Sequence, residues 1–193
     1  MNKLQGKDYI NIGIFTTIYF VIIMAAGMLG VIPIFIPLLS VIVPLIGGIP
    51  MMLYFSKVKK FGMITIHGLL SGFLMMIGGM GYWCILTFFI AALICDLILK
   101  SNNYKNIKKS IFAYGIYATS VIGAFIPIIL TRNSYHEMLS TQGFGKAYAD
   151  ALMSYMPNWI LPVLLITSFV CGIIGGIIGQ KTFKKHFVKA GIV

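Results

Sequence analysis

The sequence predicts an all-α integral membrane protein, a single domain over residues 1–193 with six transmembrane helices and both termini cytoplasmic. Three observations lead there. The chain is 59% hydrophobic and only 10% charged, whereas soluble domains carry about 25% charged residues. Side chains this apolar cannot all be hidden in one aqueous core, so lipid must be part of the solvent. The apolar residues also fall in runs of about 20, the length a helix needs to cross a hydrocarbon core of about 30 Å. Finally, thirteen of the fifteen Lys and Arg residues lie in four short stretches between those runs: Lys3 and Lys7; Lys57, Lys59 and Lys60; Lys100, Lys105, Lys108 and Lys109; and Lys181, Lys184, Lys185 and Lys189. Cytoplasmic flanks of membrane helices collect Lys and Arg. The four stretches therefore mark one side of the membrane, and only Arg132 and Lys146 fall elsewhere.

The first span covers about residues 9–29. It is too long for the apolar part of a signal peptide and lacks a small-x-small cleavage site, so it reads as a retained helix. The second, about 36–56, is irregular, with Pro33, Pro37, Pro44 and Pro50 and the pair Gly47-Gly48. Proline removes a backbone donor and clashes with the preceding turn. A membrane tolerates the freed carbonyls only where protein or a polar cavity satisfies them. This span is thus either a kinked packing helix or a broken helix of the kind that lines transporter sites. The remaining spans are expected at about 61–79, 81–99, 110–131 and 158–180. The outer loops are then about 30–35, 79–82 and 132–157. The last of these is long, polar and aromatic, and holds Glu137 and Asp150, two of the four acidic residues. Its stretch from Lys146 to Met156 has helical potential, and Pro157 ends it.

Small residues suggest where helices meet, because lipid gives no hydrophobic drive between helices and close backbone approach substitutes for it. Gly13 and Thr17 form such a pair on the first span, Gly68 and Gly72 on the third, and Gly172, Gly175, Gly176 and Gly179 a continuous stripe on the last. The stripe is read as packing within the chain. Polar groups inside the apolar runs are few. His67 is expected to make a structural hydrogen bond or to contact a ligand, with Ser71 on the same helical face. Asp96 is expected to pair with Lys100 one turn later. Twelve methionines is a high count; most will fill gaps. Those near the outer ends could join Tyr82, Trp83, Tyr155 and Trp159 around an outward pocket, although Trp and Tyr also gather at bilayer interfaces for their own reasons.

Several functions have no support. A net charge of +11 would suggest nucleic acid in a soluble chain, but here it marks topology and favours anionic headgroups. Cys84, Cys95 and Cys171 are far apart and show neither disulfide nor zinc spacing. No GxxxxGK[ST] motif is present, so any ATP hydrolysis belongs to another chain. Three separated His and four acids form no catalytic constellation, and the chain is expected not to be an enzyme and to hold no intrinsic cofactor or metal.

The run KDYINIGIFTTIYFVI, the six-span plan, the inside termini and the small size together resemble the S components of energy-coupling factor (ECF) transporters, and within them the Trep_Strep or MptD-type group. The resemblance covers the whole chain and is most specific in the first span. It implies an S-component-like bundle in the cell membrane that captures a micronutrient at the outer face and delivers it through a T component and two ATP-binding cassette ATPases. Members typically carry AxxxA on the first span, which docks on the T component. Gly13 and Thr17 occupy the matching positions in IGIFTT. Both remain small, but neither is Ala, which weakens the case for an interchangeable partner. For the substrate, the resemblance suggests haem or a related tetrapyrrole, with His136 and Met138 as iron ligands and Arg132 facing a propionate. A water-soluble vitamin or cofactor precursor is the alternative, with stacking on Tyr155 or Trp159. A structural or regulatory membrane subunit is the competing class.

Overall fold

The computed structural model describes residues 3–141 and 143–182. They form nine α-helices joined by short 3-10 and π segments. Five segments are long and apolar enough to cross a membrane: Gly6–Val31, Phe35–Lys57, Met63–Met80, Trp83–Lys100 and Ile160–Thr182. These contain α1 (Gly6–Gly27), α2 (Phe35–Lys57), α3 (Met63–Met75), α4 (Trp83–Lys100) and α9 (Ile160–Thr182). The segment expected to form the fifth span is divided into α5 (Ile107–Ala118), a 3-10 stretch over Thr119–Ala124, and α6 (Ile126–Leu130). Pro127 accounts for the division. It has no N–H to give to the Gly123 carbonyl, and its ring crowds that carbonyl. It is accommodated only in the first turn of a new helix, where the N–H would be unpaired anyway. The segment 132–157 forms two further helices, α7 (Arg132–Thr141) and α8 (Lys146–Tyr155).

The second span, by contrast, is one continuous helix despite Pro44 and Pro50 in its interior. Pro37 lies in its first turn, where proline is tolerated. The Tyr114 hydroxyl of α5 donates to the Pro44 carbonyl at 2.7 Å and ties the proline step to a neighbour. The second span is thus continuous, and the break falls in the segment 107–130 instead.

Glycine places α9 between α2 and α5. A Cβ on Gly175 would overlap the Pro44 carbonyl, and one on Gly48 or Gly179 would overlap the opposing glycine backbone. On the other side, a Cβ on Gly172 would come within 2.7 Å of the Ala118 Cβ. The stripe thus serves two neighbours at once, as packing within the chain. Gly68 and Gly72 bring α3 against Phe88 and Ala92, and Cys84 and Ile85, of α4 in the same way.

The two ends of the bundle differ in charge. At one end Lys60 Nζ meets Asp8 Oδ2 at 2.7 Å and the Lys3 carbonyl at 3.0 Å. Asp96 marks the same end. Its Oδ2 accepts from the Gly62 and Thr65 amides at 2.8 and 3.2 Å and from the Thr65 hydroxyl at 2.9 Å. Its Oδ1 accepts from the Tyr104 hydroxyl at 2.8 Å. A carboxyl of α4 thereby satisfies the orphan amides that open α3. This corrects the expected Asp96–Lys100 pair: Asp96 turns inward to the α3 amides, and the Lys100 ammonium lies 4.7 Å over the Phe61 ring instead. Burial, and the Asp96 carboxyl beside it, push the Tyr104 phenol well above its ordinary range. At the opposite end the Tyr148 hydroxyl donates to the Gly30 carbonyl and Gly81 faces Pro127. Lys3, Lys7, Lys57, Lys59, Lys60, Lys100, Lys105, Lys108, Lys109 and Lys181 belong to the first end, and Arg132 and Lys146 to the second. Lys184, Lys185 and Lys189 lie outside the described residues.

Gly175→Leu is expected to destabilise the purified protein by about 3 kcal/mol, the upper range for overpacking, and to lower its yield sharply. Gly13→Leu, at a position with nothing within 4 Å, should leave the thermal unfolding midpoint of the isolated chain unchanged. Equal unfolding midpoints for the two variants would contradict this packing scheme.

Candidate substrate cavity and its cap

Three departures from α geometry meet at the end that carries Gly30: the 3-10 turn Met28–Val31, the π turn Met76–Met80 and the 3-10 stretch Thr119–Ala124. The π turn includes Gly79 at φ 89°, a conformation that suits glycine. Irregular backbone within a membrane is tolerated where it lines an internal space, and π turns recur at functional sites. Here the π turn and the Thr119–Ala124 stretch help line a cavity, and Met28–Val31 follows directly on its lining residue Gly27. Tyr19, Ile23 and Gly27 line it from α1, and Leu39 and Val43 from α2. Met75 and Met80 come from α3 and its π turn, Cys84 and Phe88 from α4, and Val121 and Phe125 from the broken segment. The volume is about 30 Å³, far below the roughly 300–1,000 Å³ of a ligand-filled pocket. No charged side chain lines it.

The α7–α8 hairpin packs at this same end. Leu139, Ala149, Leu152 and Met156 are buried as part of the core. The Tyr148 hydroxyl anchors α8 to Gly30, three residues beyond the lining residue Gly27, and burial raises the Tyr135 and Tyr148 phenols above their ordinary range. Two contacts hold the hairpin closed on itself. The Arg132 guanidinium donates to the Met153 carbonyl at 2.6 Å and to the Met156 carbonyl. It thus satisfies carbonyls that the end of α8 leaves free. His136 Nε2 and Asp150 Oδ1 lie 2.7 Å apart and link α7 to α8 across a partly exposed surface.

The residues singled out in the sequence separate into three groups. Arg132 and His136 are engaged within the hairpin, and Met138 is exposed on it. Tyr82, Tyr155 and Trp159 are exposed, and Trp83 stacks on Tyr82 with centroids 5.3 Å apart; none of these four lines the cavity. His67 is fully buried deeper in the bundle, its Nδ1 2.9 Å from the Tyr117 hydroxyl, and its structural hydrogen bond is present. The cavity residues themselves were mostly missed. Ile23, Leu39, Val43 and Phe125 are ordinary members of apolar spans, and only the clustered methionines Met75 and Met80 hinted at an adaptable lining.

Gly13 and Thr17 stand apart from every other small-residue pair. Both are exposed, nothing lies within 4 Å of a Cβ on Gly13, and the Thr17 hydroxyl donates back to the Gly13 carbonyl at 3.0 Å. Ile10, Ile14, Ile18 and Val21 flank them on the same uncovered face of α1.

Long apolar helices, charge segregated to one end and an apolar interior define an α-helical, multi-pass integral membrane protein. The chain belongs to the Trep_Strep family, described as hypothetical bacterial integral membrane protein, whose profile matches residues 6–189. No curated protein and no solved structure matches the chain.

Arg132→Ala is expected to loosen the hairpin by about 1.5–3 kcal/mol, the value of a hydrogen bond to a charged group. Limited proteolysis near Gly143 should then accelerate at least tenfold while the helical circular dichroism signal is retained. An unchanged cleavage rate would show that Arg132 does not hold the hairpin.

Proposed function

We propose that this chain is the S component of an ECF-type importer of the cytoplasmic membrane, capturing a small micronutrient in the central cavity beneath the α7–α8 hairpin. The observation that carries the reading is the uncharged cavity among α1–α4 and the broken segment, at the end opposite the lysines where the α7–α8 hairpin also packs. In this reading α5, the 3-10 stretch and α6 together make a sixth crossing. Both termini and the basic end face the cytoplasm, and the hairpin faces outward as a lid. Arg132 and the His136–Asp150 pair hold the lid together as one unit, and the Tyr148 hydroxyl with the buried Leu139, Leu152 and Met156 seats it on the bundle. Methionine side chains adapt to varied shapes, so Met75 and Met80 provide a lining that can widen when the lid lifts. A T component and two ATP-binding cassette ATPases supply the energy. The uncovered Gly13–Thr17 face of α1 is the docking surface for the T component, since small side chains there allow close backbone approach.

An uncharged vitamin or cofactor precursor fits this geometry better than haem. Two propionates brought into a lining without charge would be costly, and Arg132 and His136, the groups suited to meet haem, are already engaged in the hairpin. Haem binding therefore requires the hairpin to release both. Titration of haem into purified protein, with His136→Ala as control, separates these branches: a Soret shift lost in the variant would favour haem.

Single-cysteine variants at Ser140 should be labelled by an impermeant reagent from outside intact cells, and variants at Asn102 only after permeabilisation. External labelling at Asn102 would overturn the orientation. The double variant Gly13→Leu, Thr17→Leu should fold but lose at least tenfold in co-purified T component and ATPases. Undiminished co-purification would remove the docking assignment.

A further inference from the structure

Directly below the cavity, toward the middle of the bundle, the fold gathers polar side chains and leaves them incompletely satisfied. His67 and Ser71 on α3 are fully buried, and Thr16 on α1 and Ser120 in the broken segment are 3% and 2% exposed. Nε2 of His67 and the hydroxyl oxygens of Thr16, Ser71 and Ser120 have no hydrogen-bond partner among the described residues. The Phe15 carbonyl beside His67 and the Tyr117 hydroxyl beside Ser71 interact with them without reaching hydrogen-bond geometry. Buried polar groups are nearly always paired, and a group of exceptions asks for an explanation.

Their position relates them to the cavity. His67, Ser71 and Met75 follow at four-residue steps along the buried face of α3, and Met75 lines the cavity. Thr16, Tyr19 and Ile23 follow at steps of three and four residues along the buried face of α1, where Tyr19 and Ile23 are lining residues. Ser120 directly precedes Val121 of the lining. The polar group is thus the floor of the cavity, separated from it by aromatic rings. The Tyr19 ring lies 5.7 Å from His67 and 5.6 Å from Tyr117, and Phe88 lies 6.0 Å from Tyr117. On the other side of His67, Tyr54 stacks at 4.8 Å.

We propose that this floor is the recognition element of the substrate site, and that the substrate is an uncharged ring compound carrying adjacent hydrogen-bond donor and acceptor groups. The inference rests on the reading of the cavity as a substrate site. The three hydroxyls can each donate or accept, and the imidazole nitrogen left free by Tyr117 offers one further position. None of these groups, nor any lining residue, is charged at its side chain in a way that would pair an ionic substrate, so a carboxylate or phosphate would be buried without a counter-charge. The rings of Tyr19, Tyr54, Tyr117 and Phe88 favour a flat partner, because aromatic pairs gain energy beyond their buried area. Turning aside Tyr19 and Phe88 joins floor and cavity into one site, with the apolar body of the ligand among the methionines and its polar edge at Ser71 and His67. A site that hydrogen-bonds its ligand in a dry pocket also rejects analogues that lack those groups, because its own polar atoms are then left unpaired.

The test uses the full chain in nanodiscs and three pairs of probes that share a ring and differ in charge: nicotinamide and nicotinate, pyridoxine and pyridoxal phosphate, riboflavin and riboflavin phosphate. At least one uncharged member should raise the unfolding temperature and bind by calorimetry, at least tenfold more tightly than its anionic counterpart. Ser71→Ala and the isosteric Thr16→Val, which disturb packing little, should each weaken that binding about tenfold, the loss of one buried hydrogen bond. His67→Gln should retain more affinity than His67→Phe. The proposal is overturned if anionic members bind as well as uncharged ones, if no uncharged probe binds, or if binding survives Ser71→Ala and Thr16→Val unchanged. Co-purification with a T component and ATPases is scored separately on the same protein. Binding without assembly would retain the floor and remove the transport reading, and assembly without binding would do the reverse.

Discussion

The close approach of α2 and α9 is the contact on which the rest of the bundle depends. Lipid competes with every apolar side chain for its neighbours, so helices in a membrane are held together by fit rather than by exclusion of water. At Gly48, Gly175 and Gly179 the two backbones come close enough that a single methyl group on either would collide with the other. Because α9 is fixed there, its opposite edge at Gly172 fixes α5. Tyr114 then reaches from α5 to the Pro44 carbonyl and closes the triangle. Gly47 belongs to the same arrangement, since a Cβ there would meet the Tyr114 hydroxyl and the Tyr19 ring, each at 2.9 Å. The placement of Tyr19, which separates cavity from floor, thus traces back to a glycine pair in α2.

The α1–α3–α4 side is held differently. Gly68 and Gly72 bring α3 against α4, but the start of α3 is fixed by Asp96, which supplies from another helix the acceptors that a local capping residue would normally provide. Gly62, at φ 99°, makes the turn that presents those amides. With α3 anchored at the basic end, its other end is free to unwind into the π turn at Met76–Met80. The packing is thus regular toward the basic end and irregular toward the end that carries Gly30.

The cap follows a third logic. The α7–α8 hairpin is seated through Leu139, Ala149, Leu152 and Met156, which join the core, whereas its internal links are polar: the Arg132 guanidinium on two carbonyls and the His136–Asp150 contact. Such links are individually modest where solvent reaches them. The polar links make α7 and α8 one unit, while the burial of those four side chains decides how firmly that unit sits on the bundle.

The sequence by itself determined the class, the segregation of charge and most helix positions. Those depend on composition and on runs of about 20 apolar residues, which are one-dimensional properties. It also marked the glycine stripe of α9 as packing, because four-residue spacing defines a helix face without reference to a partner. The tertiary structure alone decided the rest. Asp96 and Lys100 have good spacing for a pair along one helix, yet the unpaired amides of α3 take the carboxyl. Prolines in α2 looked disruptive, yet the break falls at Pro127, because an interior proline can be supported by a neighbouring helix while Pro127 has to begin a new one. Arg132 and His136 looked like ligand contacts in an outer loop, yet they are used to hold that loop together. The cavity lining had no signature at all, since an apolar residue facing a void and one facing lipid are the same letter, and only the meeting of several helices tells them apart.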